Sequence, residues 1–154
     1  MTRTETDAID NFIELMGLLA QDDHAPRISG RIMGLMVAQP GPHGLQEMAE
    51  RLKVSKASIS TNVRMLHDRG ILRRVARPGD RQDYYELLPH PYTTMLDTAA
   101  LKMRRHAERI AEACALVPAE LGEARSRIGE LADFYAQSAE FLATWRSKLP
   151  RGEP

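Results

Sequence analysis

The stretch from residue 45 to residue 87 constrains the fold most. Within it, the spacing of hydrophobic residues changes from that of a helix to that of a β-strand. Its first part predicts a two-turn helix whose inward positions are Leu45, Met48, Ala49 and Leu52. Lys53 and Val54 then lead directly to Ser55, which suits the N-cap of a second helix. Two helices joined by so short a turn form a helix-turn-helix pattern, although Lys53 stands where a turn glycine is usual.

The second helix, residues 55–69, has marked ends and two chemically different faces. Gly70 suits the left-handed residue that ends a helix, and Ile59, Val63 and Leu66 form one narrow apolar stripe. The other faces are small, polar or cationic and carry Lys56, Ala57, Ser60, Thr61 and Arg64. Such a surface suits the major groove of DNA, where carboxylates are repelled. Taken alone, the pattern fits an ordinary amphipathic surface helix equally well.

After Gly70 the hydrophobic pattern has a period of two residues, as in a β-strand. Residues 71–76 and 82–87 predict two strands, and the Pro-Gly-Asp turn within residues 77–81 joins them in a β-hairpin. A helix-turn-helix followed at once by a hairpin with arginines at its tip predicts a winged helix. This ordered combination is much more specific than any of its parts.

The charge distribution supports a polyanionic partner. The chain has no formal net charge, yet residues 51–81 hold nine lysines and arginines against two acidic residues, a net of +7. The remainder holds twelve against nineteen, a net of −7. A positive region of this kind is the electrostatic footprint of a nucleic-acid-binding surface.

Composition and length predict one mainly helical domain of 154 residues. The chain contains no apolar run long enough for a membrane span and no apolar signal core near its first residue, so we expect no membrane association. Its single cysteine, Cys114, cannot form an internal disulfide, which favours a cytoplasmic protein.

Amphipathic helices are predicted on both sides of the winged helix, over residues 6–20 and 26–39 before it and from residue 92 after it. Gly30 and Gly34, one turn apart in the second of these, predict close approach of another backbone. Pro118 fits the first position of a last helix, whose apolar residues alternate by three and four as in a coiled coil. We predict that the first and last helices form a homodimer through Phe12, Met16, Leu131, Tyr135, Leu142 and Trp145. An intramolecular packing face is the alternative.

Three segments, residues 26–34, 44–62 and 77–87, resemble the multiple-antibiotic-resistance regulator (MarR) superfamily, and most of all its glycine-betaine-synthesis regulator (GbsR) branch. The resemblance implies a dimeric transcription factor, usually a repressor, that binds a pseudo-palindromic operator in double-stranded DNA. It implies major-groove contacts by the helix of residues 55–69 and minor-groove contacts by the wing of residues 71–87. The implied DNA-binding residues are Ser55, Lys56, Ala57, Ser60, Thr61, Arg64, Arg77 and Arg81.

The resemblance also implies a subdivision of the single domain 1–154: an N-terminal dimerisation helix (1–24), a DNA-binding lobe (26–88), C-terminal dimerisation helices (89–150) and a tail (151–154). It implies that Asp80 braces a nearby arginine, and it is compatible with a small-molecule effector of unknown identity. The alternative function is a winged-helix module whose basic face binds a protein partner.

Other chemistries have little support in the sequence. The histidines and Cys114 lack metal-ligand spacing, and no catalytic constellation is present, so we expect no metal, no cofactor and no enzyme activity. Cys114 lies on an apolar helix face, which favours an inert buried thiol over a redox sensor. An aromatic cage for a quaternary ammonium group could draw on Tyr84, Tyr85, Tyr92 and Tyr135, although strand tyrosines usually only pack.

Overall fold

The computed structural model describes residues 3–149, which form six helices and one small antiparallel sheet. The predicted fold class, a mainly α winged helix with flanking helices, is confirmed. The elements are α1 (Arg3–Asp22), α2 (Arg27–Ala38), β1 (His43–Gly44), α3 (Leu45–Leu52), α4 (Lys56–Asp68), β2 (Leu72–Val75), β3 (Tyr84–Leu87), α5 (Pro91–Ala115) and α6 (Gly122–Lys148). The predicted tail, residues 151–154, lies outside the described residues.

The described residues divide into two compact units between Pro91 and Tyr92. The first contains α1 to β3, and the second contains α5, apart from its first residue, and α6. Across residues 3–149, we find no helix with the length and apolar character that crossing a membrane requires.

The first unit is built around one apolar core to which all four helices and the wing contribute. The side chains that solvent reaches least are Ile13, Ile32, Leu35, Met48, Leu52, Ile59, Leu72 and Val63. The inward residues predicted for α3 and the apolar stripe predicted for α4 lie in or against this core. The helical periodicity therefore located the buried faces correctly.

Helices α1 and α2 pack closely because α2 has two glycines on its contact face. A Cβ atom built on Gly30 would lie 2.2 Å from the backbone oxygen of Met16, and one on Gly34 would lie 3.0 Å from the Cα atom of Ile13. The predicted close backbone approach is confirmed, and the element that approaches is α1. This packing holds α1 against the helix-turn-helix lobe.

The hairpin predicted after Gly70 is present, and a third strand completes the sheet. Strands β2 and β3 pair antiparallel, and β1 pairs on the other edge of β3, with His43 opposite Tyr85 and Gly44 opposite Tyr84. Strand β1 was not predicted from the sequence, because two residues are too few to show a periodic pattern. Its pairing joins the wing to the residues that begin α3.

In the second unit, α5 and α6 form an antiparallel pair. Asp97 near the start of α5 accepts from Arg146 near the end of α6 at 3.1 Å, whereas Cys114 near the end of α5 donates to the backbone oxygen of Arg125 at 3.3 Å. Between these contacts, the rings of His106 and Tyr135 meet edge to face. The buried residues of this unit are all small, namely Ala100, Ala107, Ala132 and Ala139.

The predicted start of the last helix is wrong. Residues 118–121 form a turn closed by a hydrogen bond from the backbone N–H of Leu121 to the oxygen of Pro118, and α6 begins at Gly122. Proline fits both a turn and the first position of a helix, because the same fixed φ suits either conformation. The proline alone could not decide between them.

Candidate nucleic-acid interface

The turn between α3 and α4 is tight because Lys53 adopts the left-handed conformation, with φ 53° and ψ 46°. Its backbone N–H donates to the oxygen of Glu50, and that of Val54 donates to the oxygen of Ala49. Lys53 thus takes the conformation for which the usual glycine is favoured, at a cost of about 1 kcal/mol. Lysine therefore replaces the usual glycine at this position, and the turn keeps the left-handed conformation that glycine would adopt.

Helix α4 has the predicted caps at both ends. The hydroxyl of Ser55 accepts from the backbone N–H of Ser58 at 3.2 Å, which satisfies one donor of the first turn. At the other end, Gly70 has φ 67°, and the N–H of Ile71 donates to the oxygen of Leu66. The helix is therefore held in a defined position by local hydrogen bonds and by the core beneath it.

The face of α4 that points away from the core carries the side chains predicted to contact DNA. Lys56, Ala57, Thr61 and Arg64 are exposed and Ser60 is half-buried. The Thr61 hydroxyl donates to the backbone oxygen of Ala57 at 3.1 Å. This bond fixes the rotamer of Thr61. Because the side chains of Ala57, Ser60 and Thr61 are short, they can contact base edges only where the helix lies close to the DNA.

Asn62 is a buried polar residue of α4 that sequence analysis missed. Its side-chain nitrogen donates to the backbone oxygen of Ser58 at 2.9 Å, whereas its side-chain oxygen is buried without a hydrogen-bond partner among the described residues. Asn62 lies on the same buried face of α4 as Ile59, Val63 and Leu66. Because asparagine is polar, the hydrophobic pattern gave no indication that this position is buried.

The structure reduces the number of positive charges in residues 51–81 that are free to meet a polyanion. Arg73 pairs with Glu86 at 2.6 Å, Arg74 pairs with Asp83, and Arg51 pairs with Asp10 at 2.5 Å. These carboxylates lie outside that sequence window and were not counted against it. Within residues 3–149, the exposed cations of the window without an ion-pair partner are Lys53, Lys56, Arg64, Arg69, Arg77 and Arg81.

Arg77 and Arg81, the two arginines predicted for the wing tip, lie in different environments. Arg81 is exposed and forms no ion pair or side-chain hydrogen bond within the described chain. The guanidinium of Arg77 donates to the backbone oxygen of Pro42 at 3.0 Å and lies 4.0 Å from the centroid of the Tyr84 ring. The structure therefore leaves Arg81 available and engages Arg77 with its own chain.

Asp80 organises the tip of the wing. One carboxylate oxygen accepts from the backbone N–H of Gln82 at 2.9 Å, and the other accepts from the Tyr84 hydroxyl at 2.7 Å. These two bonds hold the pKa of Asp80 below its usual range, and the bond to Asp80 raises the pKa of Tyr84. We expected Asp80 to pair with a nearby arginine. Its side-chain partner is instead the Tyr84 hydroxyl, and the charge of Arg77 lies nearby.

His43 and Glu47 tie β1 to the first turn of α3. The His43 ring lies with Nδ1 2.9 Å from a Glu47 carboxylate oxygen and Nε2 2.7 Å from the backbone oxygen of Gln39. The backbone N–H of Gly44 donates to the other Glu47 oxygen at 3.2 Å. Burial raises the pKa of Glu47, but the hydrogen bonds from His43 and from the Gly44 N–H outweigh it, so the pKa lies below its usual value.

The two arginines of α2 are ion-paired to a carboxylate of α1. Arg27 and Arg31 both contact the Glu14 carboxylate at 2.7 Å. Arg31 also donates to the backbone oxygen of Leu52, the last residue of α3, at 2.9 Å. The hydrogen bond from Arg27 is the main cause that lowers the pKa of Glu14, and burial partly opposes it.

The residues predicted for the dimer interface lie on two helices. Phe12 and Met16 are half-buried in α1, and Tyr135 and Leu142 are half-buried in α6. Leu131 and Trp145 are each 49% exposed, and the neighbouring Phe134 and Phe141 are 62% and 69% exposed. Met16 packs against the core of the first unit, Tyr135 meets His106 of α5 edge to face, and Leu131 and Trp145 are open in the single chain.

Two sites that the sequence analysis weighed have ordinary structural roles. Cys114 was expected to be a buried thiol, but it is only partly buried, and its thiol donates to a backbone oxygen. Of the tyrosines considered for a cation cage, Tyr84 holds the guanidinium of Arg77, and Tyr85 packs edge to face with His67. Across residues 3–149, no group of three or more potential ligands could hold a metal ion.

Comparison with known proteins agrees with this geometry. Residues 35–83 match the model of the MarR family. The chain is similar to MarR-family winged-helix transcriptional regulators. The matched residues include α3, the turn, α4 and β2, and they end at residue 83, the residue before β3.

Three curated relatives are similar to part of the chain. The HTH-type transcriptional regulator MmpR5 of Mycobacterium tuberculosis is 38% identical over 54% of this chain and 52% of its own length. The putative HTH-type transcriptional regulator YvaV of Bacillus subtilis is 34% identical, over 58% and 50%. The HTH-type transcriptional repressor OpcR of Bacillus subtilis is 30% identical, over 65% and 56%. The alignments thus span about half the length of these relatives.

A solved structure is similar over more of the chain. The crystal structure of a transcriptional regulator superposes with a TM-score of 0.76 at 26% identity, and the match covers 92% of this chain and 97% of that chain. The MarR-like winged helix and its flanking helices therefore occur together in a protein of known structure.

Proposed function

We propose that this chain is a MarR-type transcriptional regulator that binds double-stranded DNA in a sequence-specific manner as a homodimer. The single observation that carries the proposal is the outer face of α4. There Lys56 and Arg64 have no ion-pair partner within residues 3–149, and between them the face is small and polar. A cationic face without bulk or carboxylates, on a helix held by a helix-turn-helix, is suited to the major groove.

In this proposal α4 reads bases and the wing holds the backbone. Lys56 and Arg64 have the length to reach phosphates or guanine edges, while Ser60 and Thr61 are short and require close approach. Ala57 leaves room for a thymine methyl or a sugar. Ser55 presents the first turn of the helix, whose N–H groups favour a phosphate. Arg81 extends from the wing tip toward the minor groove.

Homodimerisation is proposed from the apolar residues that the single chain leaves open. On α6, the exposed Leu131, Phe134, Phe141 and Trp145 recur at intervals of three, four and seven residues. On α1, Leu15, Leu18 and Leu19 are each about half exposed. Apolar residues aligned along a helix in this way are typical of an interface between protein chains. A two-fold dimer would bind a pseudo-palindrome with half-sites about one helical turn, or a multiple of one, apart.

The finer parts of the proposal rest on resemblance. OpcR is named a repressor, and we propose the same direction of control for this chain. The GbsR-like branch is proposed on the three segments at residues 26–34, 44–62 and 77–87. A small-molecule effector of unknown identity that relieves repression, and a cytoplasmic location, complete the proposal.

The test is a binding selection on random DNA duplexes, followed by a titration of the selected duplex at several salt concentrations. We expect a pseudo-palindromic consensus, and a binding constant that falls steeply with salt because bound lysines and arginines release counterions from phosphates. Ser60→Glu and Thr61→Glu should abolish specific binding. Ser126→Glu, at an exposed position of α6, is the matched control and should bind like the wild type.

The same experiment distinguishes the proposed DNA-binding regulator from the alternative function, a protein-interaction module. A winged helix whose basic face binds a protein partner would select no consensus, and its DNA binding would show no dependence on sequence. That outcome, or a salt slope near zero, would remove the proposal of a DNA-binding regulator.

A further inference from the structure

The guanidinium of Arg77 connects three parts of the first unit. Arg77 is the second residue after β2, and it donates to the backbone oxygen of Pro42, the residue before β1. It also lies over the ring of Tyr84, the first residue of β3. Both contacts are made within the chain, and a guanidinium held over an aromatic face gains a cation–π interaction in addition to its hydrogen bond.

The segment that receives Arg77 is itself fixed to the helix-turn-helix. Gly44 is the N-cap of α3, and its N–H donates to Glu47. His43 lies between Glu47 and the end of α2. Strand β1 pairs with β3 through only two residues, so backbone pairing alone provides a short connection. Arg77 is thus a side-chain link between the wing and the first helix of the helix-turn-helix.

The same tyrosine connects Arg77 to the wing tip. The Tyr84 hydroxyl donates to Asp80, whose other oxygen accepts from the N–H of Gln82. An aspartate that bonds the backbone two residues further on forms a tight local turn, and here the residue inside that turn is Arg81. The contacts of Arg77, Tyr84 and Asp80 therefore form a continuous series that ends at the backbone of Arg81.

We propose that Arg77 is a positioning residue, which fixes the wing on the helix-turn-helix and so places Arg81 on DNA without contacting DNA itself. This inference rests on the proposed function, and it changes the role that the sequence predicted for Arg77. A guanidinium that moved to a phosphate would give up both the Pro42 oxygen and the Tyr84 ring. Arg81 forms no ion pair or side-chain hydrogen bond within residues 3–149 that a phosphate would have to replace.

The test is a double-mutant cycle in the intact protein, measured as DNA affinity and as its salt dependence on the selected duplex. The variants are Arg77→Ala, Arg81→Ala and the two combined. Each lost phosphate contact lowers the magnitude of the log–log salt slope by about 1. If Arg77 acts through Arg81, the combined variant binds no more weakly than Arg81→Ala, and its slope differs from the wild type by about 2, because the dimer loses one contact in each half-site. Additive losses of affinity and a slope change of about 4 would overturn the inference, because both arginines would then contact phosphate in each half-site.

Tyr84→Leu provides a second, independent test because it leaves Arg77 in place. It removes the ring under the guanidinium and the hydroxyl on Asp80, so it should weaken DNA binding as Arg77→Ala does. Amide exchange in residues 77–84 should rise in both variants while exchange in α1 and α2 remains as in the wild type. Wild-type affinity for Tyr84→Leu, or slow exchange in the wing of Arg77→Ala, would contradict the positioning role.

One control variant, together with the wild type, keeps the outcomes distinct. Arg127→Ala removes an arginine that pairs only within α6, with Glu123, and should leave affinity and slope unchanged. If the wild type selects no DNA, the proposed function itself fails. If the wild type binds and the cycle is additive, only the role of Arg77 fails.

Discussion

Gly30 of α2 lies against Met16 of α1 so closely that a Cβ atom on Gly30 would come within 2.2 Å of the Met16 backbone oxygen. A backbone oxygen cannot rotate away as a side chain can, so any larger residue requires the two helices to separate. Because α1 also carries apolar residues proposed for the dimer, this contact joins the packing of the lobe to the placement of that surface.

Gly30→Ala should therefore destabilise the protein although alanine is the better helix former. The helix propensity gained is about 1 kcal/mol, whereas forcing extra volume into a packed contact costs about 1–3 kcal/mol and more when backbone must move. We expect a net fall in the free energy of unfolding, measured by urea denaturation. Gly129→Ala in α6 is the control, because a Cβ atom there meets nothing within 4 Å, and it should stabilise slightly. A gain in stability for Gly30→Ala would show that the helices can separate freely.

Lys53→Gly should stabilise the turn between α3 and α4. Lys53 has a positive φ of 53°, which costs a residue with a Cβ atom about 1 kcal/mol relative to glycine. The free energy of unfolding should rise by up to about that amount. The matched control is Lys56→Gly, which removes the same charge inside a right-handed helix and should lower stability. Equal effects of the two substitutions would mean that charge, and not backbone conformation, determines the result.

Acid should weaken the attachment of α1 to α2 through Glu14. Hydrogen bonding to Arg27 holds the pKa of Glu14 below the ordinary value of 4.5. A carboxylate whose pKa is lower in the folded state stabilises the protein above the unfolded-state value, and this contribution is lost as pH falls through the folded-state value. Glu14→Gln should therefore lower stability at pH 7 and flatten the loss of stability below about pH 4.5. Glu123→Gln changes the same charge at an exposed position of α6 and serves as the control. An unchanged acid profile in Glu14→Gln would contradict the argument.

The open face of α6 should determine the oligomeric state. Phe141→Glu combined with Trp145→Glu places two charges in the proposed interface, where a desolvated charge is strongly unfavourable. We expect sedimentation equilibrium to report a dimer for the wild type and a monomer for this double variant. Ala136→Glu, on the opposite, exposed face of α6, should leave the mass unchanged. A dimeric double variant would show that this face is not the interface.

Much of the winged helix was determined by interactions between residues close in sequence. The Ser55 cap, the left-handed Gly70, the apolar stripe of α4 and the turn of the hairpin each depend on a few neighbouring residues. Hydrogen bonds within one turn and a hydrophobic period over a dozen residues are expressed wherever the segment folds. For that reason the positions of α3, α4 and the two wing strands could be predicted to within one or two residues.

The tertiary structure alone decided the partners of the charged residues and the burial of the flanking helices. Arg51 meets Asp10 from 41 positions away, and Arg77 meets Pro42 from 35 positions away. No local pattern contains such a pairing, so composition predicted a positive surface but not which cations are free. In α6 the apolar residues cover a broad face, and only packing shows that Ala132 and Ala139 are buried while Phe134 and Phe141 are open. Local rules determine which segments become helices and strands, whereas contacts between distant residues form only when the folded chain brings their elements together.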